Sequence, residues 1–171
     1  MIKQDTLENR VNYIYLAIGS NLGNRKDYIE KAKFKLSQNK VFILKSSNFY
    51  ESLSWPNPKD PKFLNIVIKV STNYTPLNLI NKCHEIERSL GRNKNKRNAP
   101  RTCDIDIIDF KGLKKHNKYI KIPHPRMSNR NFVLFPLFEI EKNWKHPKNN
   151  ISIVKLIKKL DLNLLRSIKI Y

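Results

Sequence analysis

Apolar residues in this chain fall into short periodic runs separated by Asn-, Lys- and Pro-rich stretches. Val11 to Ile18 is apolar and aromatic, which predicts a central strand running into the turn-rich G-S-N-L-G-N. Asn24 is placed to cap a helix from Arg25 to about Gln38, with Tyr28, Ile29, Ala32 and Leu36 on one face. Val41 to Glu51 reads as a second strand. Ser52 to Lys62, with Pro56, Pro58 and Pro61, reads as a loop. Phe63 to Val70 is the third strand. Thr75 followed by Pro76 opens a second helix; Leu79, Cys83, Ile86 and Leu90 make its apolar stripe and Gly91 stops it. Arg92 to Pro100 is a basic loop without apolar anchors, expected to be mobile. From Thr102 the residues alternate again, and Ile105, Ile107 and Ile108 favour a fourth strand.

The order β-α-β-β-α-β predicts an α+β protein with a ferredoxin-like core: an antiparallel sheet with helices packed on one face. Ile122–Pro125 (a turn-bounded piece), Phe132–Ile140 (an apolar segment) and Ile151–Leu160 (a plausible helix) form a C-terminal extension. Residues 1–10 are polar and expected to fray, and residues 11–171 are expected to form a single domain. There is no internal repeat and no linker.

The fourth strand carries the candidate chemistry. Pro100 disfavours helix at Ala99, so a loop precedes the strand. Side chains two apart share a strand face, so Asp104 and Asp106 point the same way, about 7 Å apart along the chain. Cys103, Ile105 and Ile107 point into the core. Two half-buried carboxylates repel unless a cation sits between them. Hard oxygen ligands suit Mg²⁺, which completes its octahedron with water and substrate phosphates. Arg97 and Arg101, just upstream, could clamp those phosphates. The plainer alternative is a solvated strand face that happens to carry two acids.

Composition constrains the rest. A net charge of +20 invites a nucleic-acid partner. Yet the lysines are scattered, and the Lys-, Asn- and Ile-rich composition fits codon bias in an AT-rich genome, which favours a solvated basic surface. Cys83 and Cys103 sit in apolar-periodic positions; with no signal peptide they read as reduced thiols of a cytoplasmic protein. No zinc-type Cys/His spacing occurs and no apolar run approaches membrane length. Gly19 and Gly23 lack the G-K-[ST] ending of a Walker loop, so side-chain cations must replace such a loop in any phosphate site.

Six segments in fixed order then resemble the 6-hydroxymethyl-7,8-dihydropterin pyrophosphokinase family of folate synthesis. They are A-I-G-S-N-L-G-N from Ala17, S-S-N-F-Y-E-S from Ser46, F-L-N from Phe63, E-x-x-L-G-R from Glu87, R-N-A-P-R-T-C-D-I-D-I-I from Arg97, and I-P-H-P-R-M-x-x-R-x-F from Ile122. The resemblance implies pyrophosphate transfer from ATP to the pterin hydroxymethyl oxygen with release of AMP. It implies two Mg²⁺ ions on Asp104 and Asp106, and phosphate clamps at Arg92 and Arg101. Further ATP contacts would come from Glu87, Lys94, His124 and Arg130. The pterin would meet Phe63, Phe132 and Asn65, with Ser52, Leu53 and Asp104 beside it. Lys94 and Asn98 stand where relatives carry arginine and tryptophan, and Pro125 stands where some carry tyrosine. These departures bear on loop closure, not on reaction class. Without the resemblance, Phe63 and Phe132 would be read as ordinary core, His124 as a surface residue, and Arg92 as a cation offsetting a helix dipole. A monomer acting on ATP and the pterin is expected, with neither membrane nor nucleic-acid partner.

Two other classes share these features. An RNA-binding module of the same β-α-β-β-α-β order fits the charge but needs an aromatic RNP1-like strand, which is absent. A two-metal nucleotidyltransferase also pairs aspartates on a sheet, but would release pyrophosphate in place of AMP.

Overall fold

The computed structural model describes residues 13–92 and 99–171. Strand β1 (Ile14–Ser20) leads to helix α1 (Arg25–Gln38), whose Asn24 cap accepts from the Asp27 N–H. Strands β2 (Phe42–Ser46), β3 (Tyr50–Ser52) and β4 (Phe63–Ser71) follow, then helix α2 (Pro76–Ser89) and strand β5 (Asp104–Phe110). Thr75 caps α2 at the Asn78 N–H, and Gly91 takes the left-handed φ of 84° just after it. A small hairpin, β6 (Lys115–His116) with β7 (Lys121–Ile122), precedes a 3₁₀ turn (Met127–Asn129). Helices α3 (Asn131–Ile140), α4 (Ile153–Lys158) and α5 (Leu162–Arg166) and strand β8 (Lys169–Ile170) complete the chain.

The main sheet is antiparallel throughout, in the order β5-β1-β4-β3-β8, with β2 also paired to β4. This is the ferredoxin-like core expected from the element order. The expected second strand is divided. β2 and β3 pair with opposite ends of β4, and Ser47 bridges the break: its N–H donates to the Val67 carbonyl while its hydroxyl accepts the Val67 N–H. A side-chain oxygen thus replaces the backbone carbonyl that the interrupted ladder lacks.

Both faces of the sheet are covered. On one, Ile14, Leu16, Ile18, Ile66 and Ile105 pack against Ile29, Ala32 and Leu36 of α1 and Leu79, Cys83 and Ile86 of α2. On the other, Tyr15, Val67 and Ile108 pack against Val133, Leu134 and Leu137 of α3 and Ile153 and Leu156 of α4. The two helices of the ferredoxin-like core share one face, as expected, and the C-terminal extension covers the other. The C-terminal extension is a second helical layer. Its main helix showed no stripe in the sequence because α3 is apolar nearly all round, as a helix buried on several sides must be. Cys83 and Cys103 are free and buried. Among the described residues no helix is long and apolar enough to cross a membrane.

A bulge in β5 sets up the second face. Tyr15 pairs with Asp109 and Leu16 with Ile107, leaving Ile108 as the extra residue. Ile108 and Asp109 consequently both face α3 and α4, which alternation alone would forbid. On the near side of the bulge the alternation is regular. Asp106 lies opposite Ala17, Asp104 opposite Gly19, and Gly19 opposite Asn65.

Candidate active site

The second face is not wholly covered by α3. Beyond the start of that helix the sheet floors a cavity of about 1030 Å³. Asp104 and Asp106 of β5, with Gly19 of β1 and Phe63 and Asn65 of β4, form its floor. Arg92 and Glu87 at the end of α2, and Arg101 just before β5, form one wall; His124, Arg130 and Phe132 form the facing one. Ser52 and Leu53 lie at the rim, where β3 ends. The residues singled out in the sequence therefore converge on one space, except Lys94, which with Arg97, Asn98, residues 1–10 and most of the basic loop lies outside the described residues.

The acids and guanidinium groups interlock. Asp104 accepts from Arg92 at 2.6 Å and from Arg101 at 2.5 Å. Asp106 meets Arg130 at 3.3 Å, and the Nε2 atom of His124 lies 3.8 Å from the same oxygen. Glu87, only 1% exposed, accepts the Ile105 backbone N–H at 2.7 Å and pairs with Arg92. One carboxylate on α2 thereby ties that helix both to the Asp-bearing strand and to a cavity arginine. Its second oxygen, Glu87 Oε2, has no partner, and neither have Arg101 Nε and Thr102 Oγ1. Buried polar atoms are paired in most structures, so the orphans on Glu87 and Arg101, which both line this cavity, mark a place where a ligand supplies partners.

The charges are unequal in consequence. Burial works against the ionised form of Asp104, but the guanidinium groups of Arg101 and Arg92 outweigh it and hold the carboxyl below its ordinary range. Burial, and then the negative Asp104 beside it, push Asp106 up to about 6. Burial raises Glu87 to about 7 despite Arg92 and the Ile105 N–H. Burial and then Arg130 lower His124 to about 4, so its imidazole is neutral at pH 7. It is a hydrogen-bonding group there, not a cation.

The other half of the cavity is aromatic and amide-lined. The Arg101 guanidinium lies 5.1 Å above the Phe63 ring and that of Arg130 5.3 Å above Phe132, so each ring joins the charged half to the flat one. Asn65 is buried and donates to Ser52 Oγ at 3.0 Å. Gly19 makes room for it: a Cβ there would stand 2.9 Å from Asn65 Oδ1 and 3.4 Å from Phe63. A side chain at Gly19 would force the Asn65 amide to shift, while Phe63 would stand at ordinary contact distance.

Several lining residues had no signal in the sequence. Trp55 is 60% exposed and lies under the Arg126 guanidinium at 5.2 Å. Asp161, Asn163, Leu164 and Ser167 close the cavity from the C-terminal segment, which Asn131 holds by donating to the Leu164 carbonyl and to Ser167 Oγ. Nothing in the local pattern connects residue 164 to residue 131. Asn21 lies inside the A-I-G-S-N-L-G-N segment, which by itself gives it no role, and Ser54 opens the proline-rich loop.

Among the described residues no group of three or more His, Cys, Asp and Glu could enclose a metal ion. Two carboxylates on adjacent positions of one strand face fit Mg²⁺, which takes few protein ligands and fills its remaining positions with water and phosphate oxygens. Paired carboxylates beneath several guanidinium groups are, as a class, the equipment of enzymes that handle phosphate esters.

Comparison with known proteins narrows that class. The family model described as 7,8-dihydro-6-hydroxymethylpterin-pyrophosphokinase matches residues 15–142. The 2-amino-4-hydroxy-6-hydroxymethyldihydropteridine pyrophosphokinase of Aquifex aeolicus is 40% identical over 134 residues, covering 78% of this chain and 83% of that protein. Its namesake in Bacillus subtilis is 38% identical over 130 residues, 75% of this chain and 78% of the relative. The bifunctional protein FolKE of Lactococcus lactis is 41% identical over 87% of this chain, which spans only 42% of that longer protein. Among solved structures, wild-type HPPK-DHPS of Plasmodium falciparum superposes with a TM-score of 0.66 at 15% identity, over 86% of this chain and 44% of that one. The chain belongs to the 7,8-dihydro-6-hydroxymethylpterin-pyrophosphokinase family. It is accordingly a diphosphotransferase of folate biosynthesis.

Proposed function

We propose that this cavity binds ATP and 6-hydroxymethyl-7,8-dihydropterin together and transfers pyrophosphate from the first to the second. The hydroxymethyl oxygen attacks the β-phosphorus. The bond from that phosphorus to the bridging oxygen of the α-phosphate breaks, AMP leaves, and the hydroxyl proton is lost. Family membership and the juxtaposition of Asp104 and Asp106 with Phe63, Asn65 and Phe132 across one space support this reading.

Asp104 and Asp106 would hold Mg²⁺, two ions being the number the family resemblance implies, and such ions when bound neutralise phosphate charge and orient the triphosphate. Arg92 and Arg101, which saturate Asp104 now, would turn to phosphate oxygens when a cation claims that carboxylate. Arg130 and the neutral His124 would bind the nucleotide from one wall, and Glu87 and Lys94 would be further nucleotide contacts. Phe63 and Phe132 would stack on the two faces of the pterin, Asn65 would bond its edge, and Ser52 and Leu53 would meet its rim. Positioning the attacking oxygen in line with the β-phosphorus is then the main catalytic contribution of the chain's own residues.

The test is incubation with ATP, Mg²⁺ and 6-hydroxymethyl-7,8-dihydropterin, with products resolved by chromatography. AMP and the pterin diphosphate in equal amounts are expected. Release of ADP, or of free pyrophosphate with a nucleotidylated product, would overturn the assignment.

A further inference from the structure

We propose that Asn21 is a positioning residue for the transfer, one buried amide that fixes the phosphate-clamping Arg101 and the loop 53–62 relative to each other. This rests on the reading above, in which Arg101 faces the transferred phosphates and Phe63 faces the pterin.

Asn21 follows β1 directly and is 3% exposed. Its own N–H donates to the Arg101 carbonyl at 3.0 Å, and its Oδ1 accepts the Arg101 N–H at 2.7 Å. Residue 101 is thus gripped at both backbone polar groups. The other end of the same amide turns to the opposite side. Asn21 Nδ2 donates to the Pro61 carbonyl at 3.0 Å and to Ser54 Oγ at 3.3 Å, and the Ser54 hydroxyl also donates to Pro61. Both amide protons and the oxygen are committed, a use of the side chain that no hydroxyl or carboxylate reproduces.

Both targets flank the cavity, and neither belongs to the sheet. Arg101 precedes β5, and its side chain reaches Asp104 and lies over Phe63. Ser54 and Pro61 pinch the neck of the loop between β3 and β4, which carries Leu53, Trp55 and Pro56 along the cavity and ends at Phe63. Ladder hydrogen bonds do not fix the separation of these two segments, whereas the Asn21 amide spans it. In-line transfer is sensitive to displacements of about 1 Å, which can cost on the order of a hundredfold in rate. A residue that sets the distance between the two halves of the site acts on rate through Arg101 and on pterin binding through the loop.

These two actions can be separated. Steady-state constants would be measured for Asn21→Ala, Ser54→Ala, Arg101→Ala and the Asn21→Ala/Arg101→Ala double variant, alongside urea unfolding of each. Asn21→Ala is expected to lower kcat by roughly tenfold or more and to raise the pterin KM several-fold. In the Arg101→Ala background it should leave kcat within about twofold while still raising the pterin KM, because the rate effect runs through a side chain already removed. Ser54→Ala keeps every bond to Arg101 and should raise the pterin KM with kcat unchanged. It carries the test alone if Asn21→Ala does not fold. Reduced stability with wild-type kcat and KM in the folded enzyme would show a merely structural amide and overturn the proposal. So would an equal kcat loss in the Arg101→Ala background, or a Ser54→Ala enzyme with wild-type pterin KM. Wild-type kcat in Arg101→Ala itself would sink the underlying site reading, a distinguishable failure.

Discussion

The two ends of one sheet face make an instructive pair. At the near end β1, β4 and β5 present Gly19, Asn65, Asp104 and Asp106 to the cavity. At the far end the same strands present Tyr15, Lys69 and Asp109 to a second hollow, walled by Glu141, Trp144 and His146. Both ends bury acids, but they dispose of them differently. Asp109 accepts from the Trp144 indole at 2.9 Å and from the Gly112 N–H at 2.9 Å. Glu141 accepts from Tyr15 at 3.0 Å and from Lys69 at 2.8 Å, and the Lys69 ammonium lies 3.6 Å above the Tyr13 ring. No orphaned buried side-chain atom lies there among the described residues, whereas Glu87 Oε2, Arg101 Nε and Thr102 Oγ1 cluster at the near end. A polar network that satisfies itself is structural. One left incomplete, with Asp104, Asp106 and Glu87 crowded against Arg92, Arg101 and Arg130, is built to receive something.

The largest effect should come from the near end. Asp104→Asn or Asp106→Asn is expected to reduce turnover on the order of a thousandfold or more while unfolding stays cooperative, as followed by AMP release and thermal melting. Near-normal AMP release by either variant would remove the metal assignment. Arg101→Ala should follow, with kcat down roughly a hundredfold and pterin affinity by calorimetry much less affected.

The far end should behave oppositely. Asp109→Ala strands the buried Trp144 N–H and is expected to cost about 1–3 kcal/mol in urea unfolding, with kcat unchanged. A large activity loss there would erase the distinction between the two ends.

A smaller effect links both ends to pH. Burial lowers His146 below its ordinary 6.5 and, with Arg130, lowers His124 to about 4. Below pH 6.5 the unfolded chain takes up protons that the folded one refuses, so this stability is present above 6.5 and is lost as pH falls through the folded values. Glu87 and Asp106, raised to about 7 and about 6, work in the opposite sense over the same range, so the histidine contribution is read from variants. Relative to the parent chain, His124→Gln should gain in urea midpoint as pH falls from 7 to 5, and by more than His146→Gln; equal gains would contradict the deeper depression of His124. Smallest of all, Lys69→Met should cost about 1 kcal/mol or less, the scale of a partly exposed ion pair.

Much of this was legible in the chain. Period two in D-I-D-I placed Asp104 and Asp106 on one face and Cys103, Ile105 and Ile107 in the core, because a strand offers side chains only two directions. The caps Asn24 and Thr75 and the stop at Gly91 were readable because each acts within one helical turn. Tertiary contacts decided the rest. Ser47 could break the edge strand only because Val67 lies across from it, and α3 lacked a stripe because it is buried on several sides. Ile108 and Asp109 turned to one face through a bulge that depends on β1. The second helical layer, the C-terminal wall at Leu164 and Ser167 and the span of Asn21 all join residues far apart in sequence. Local pattern carries short-range preferences; which distant groups share a hydrogen bond is settled only when the packed chain brings them together.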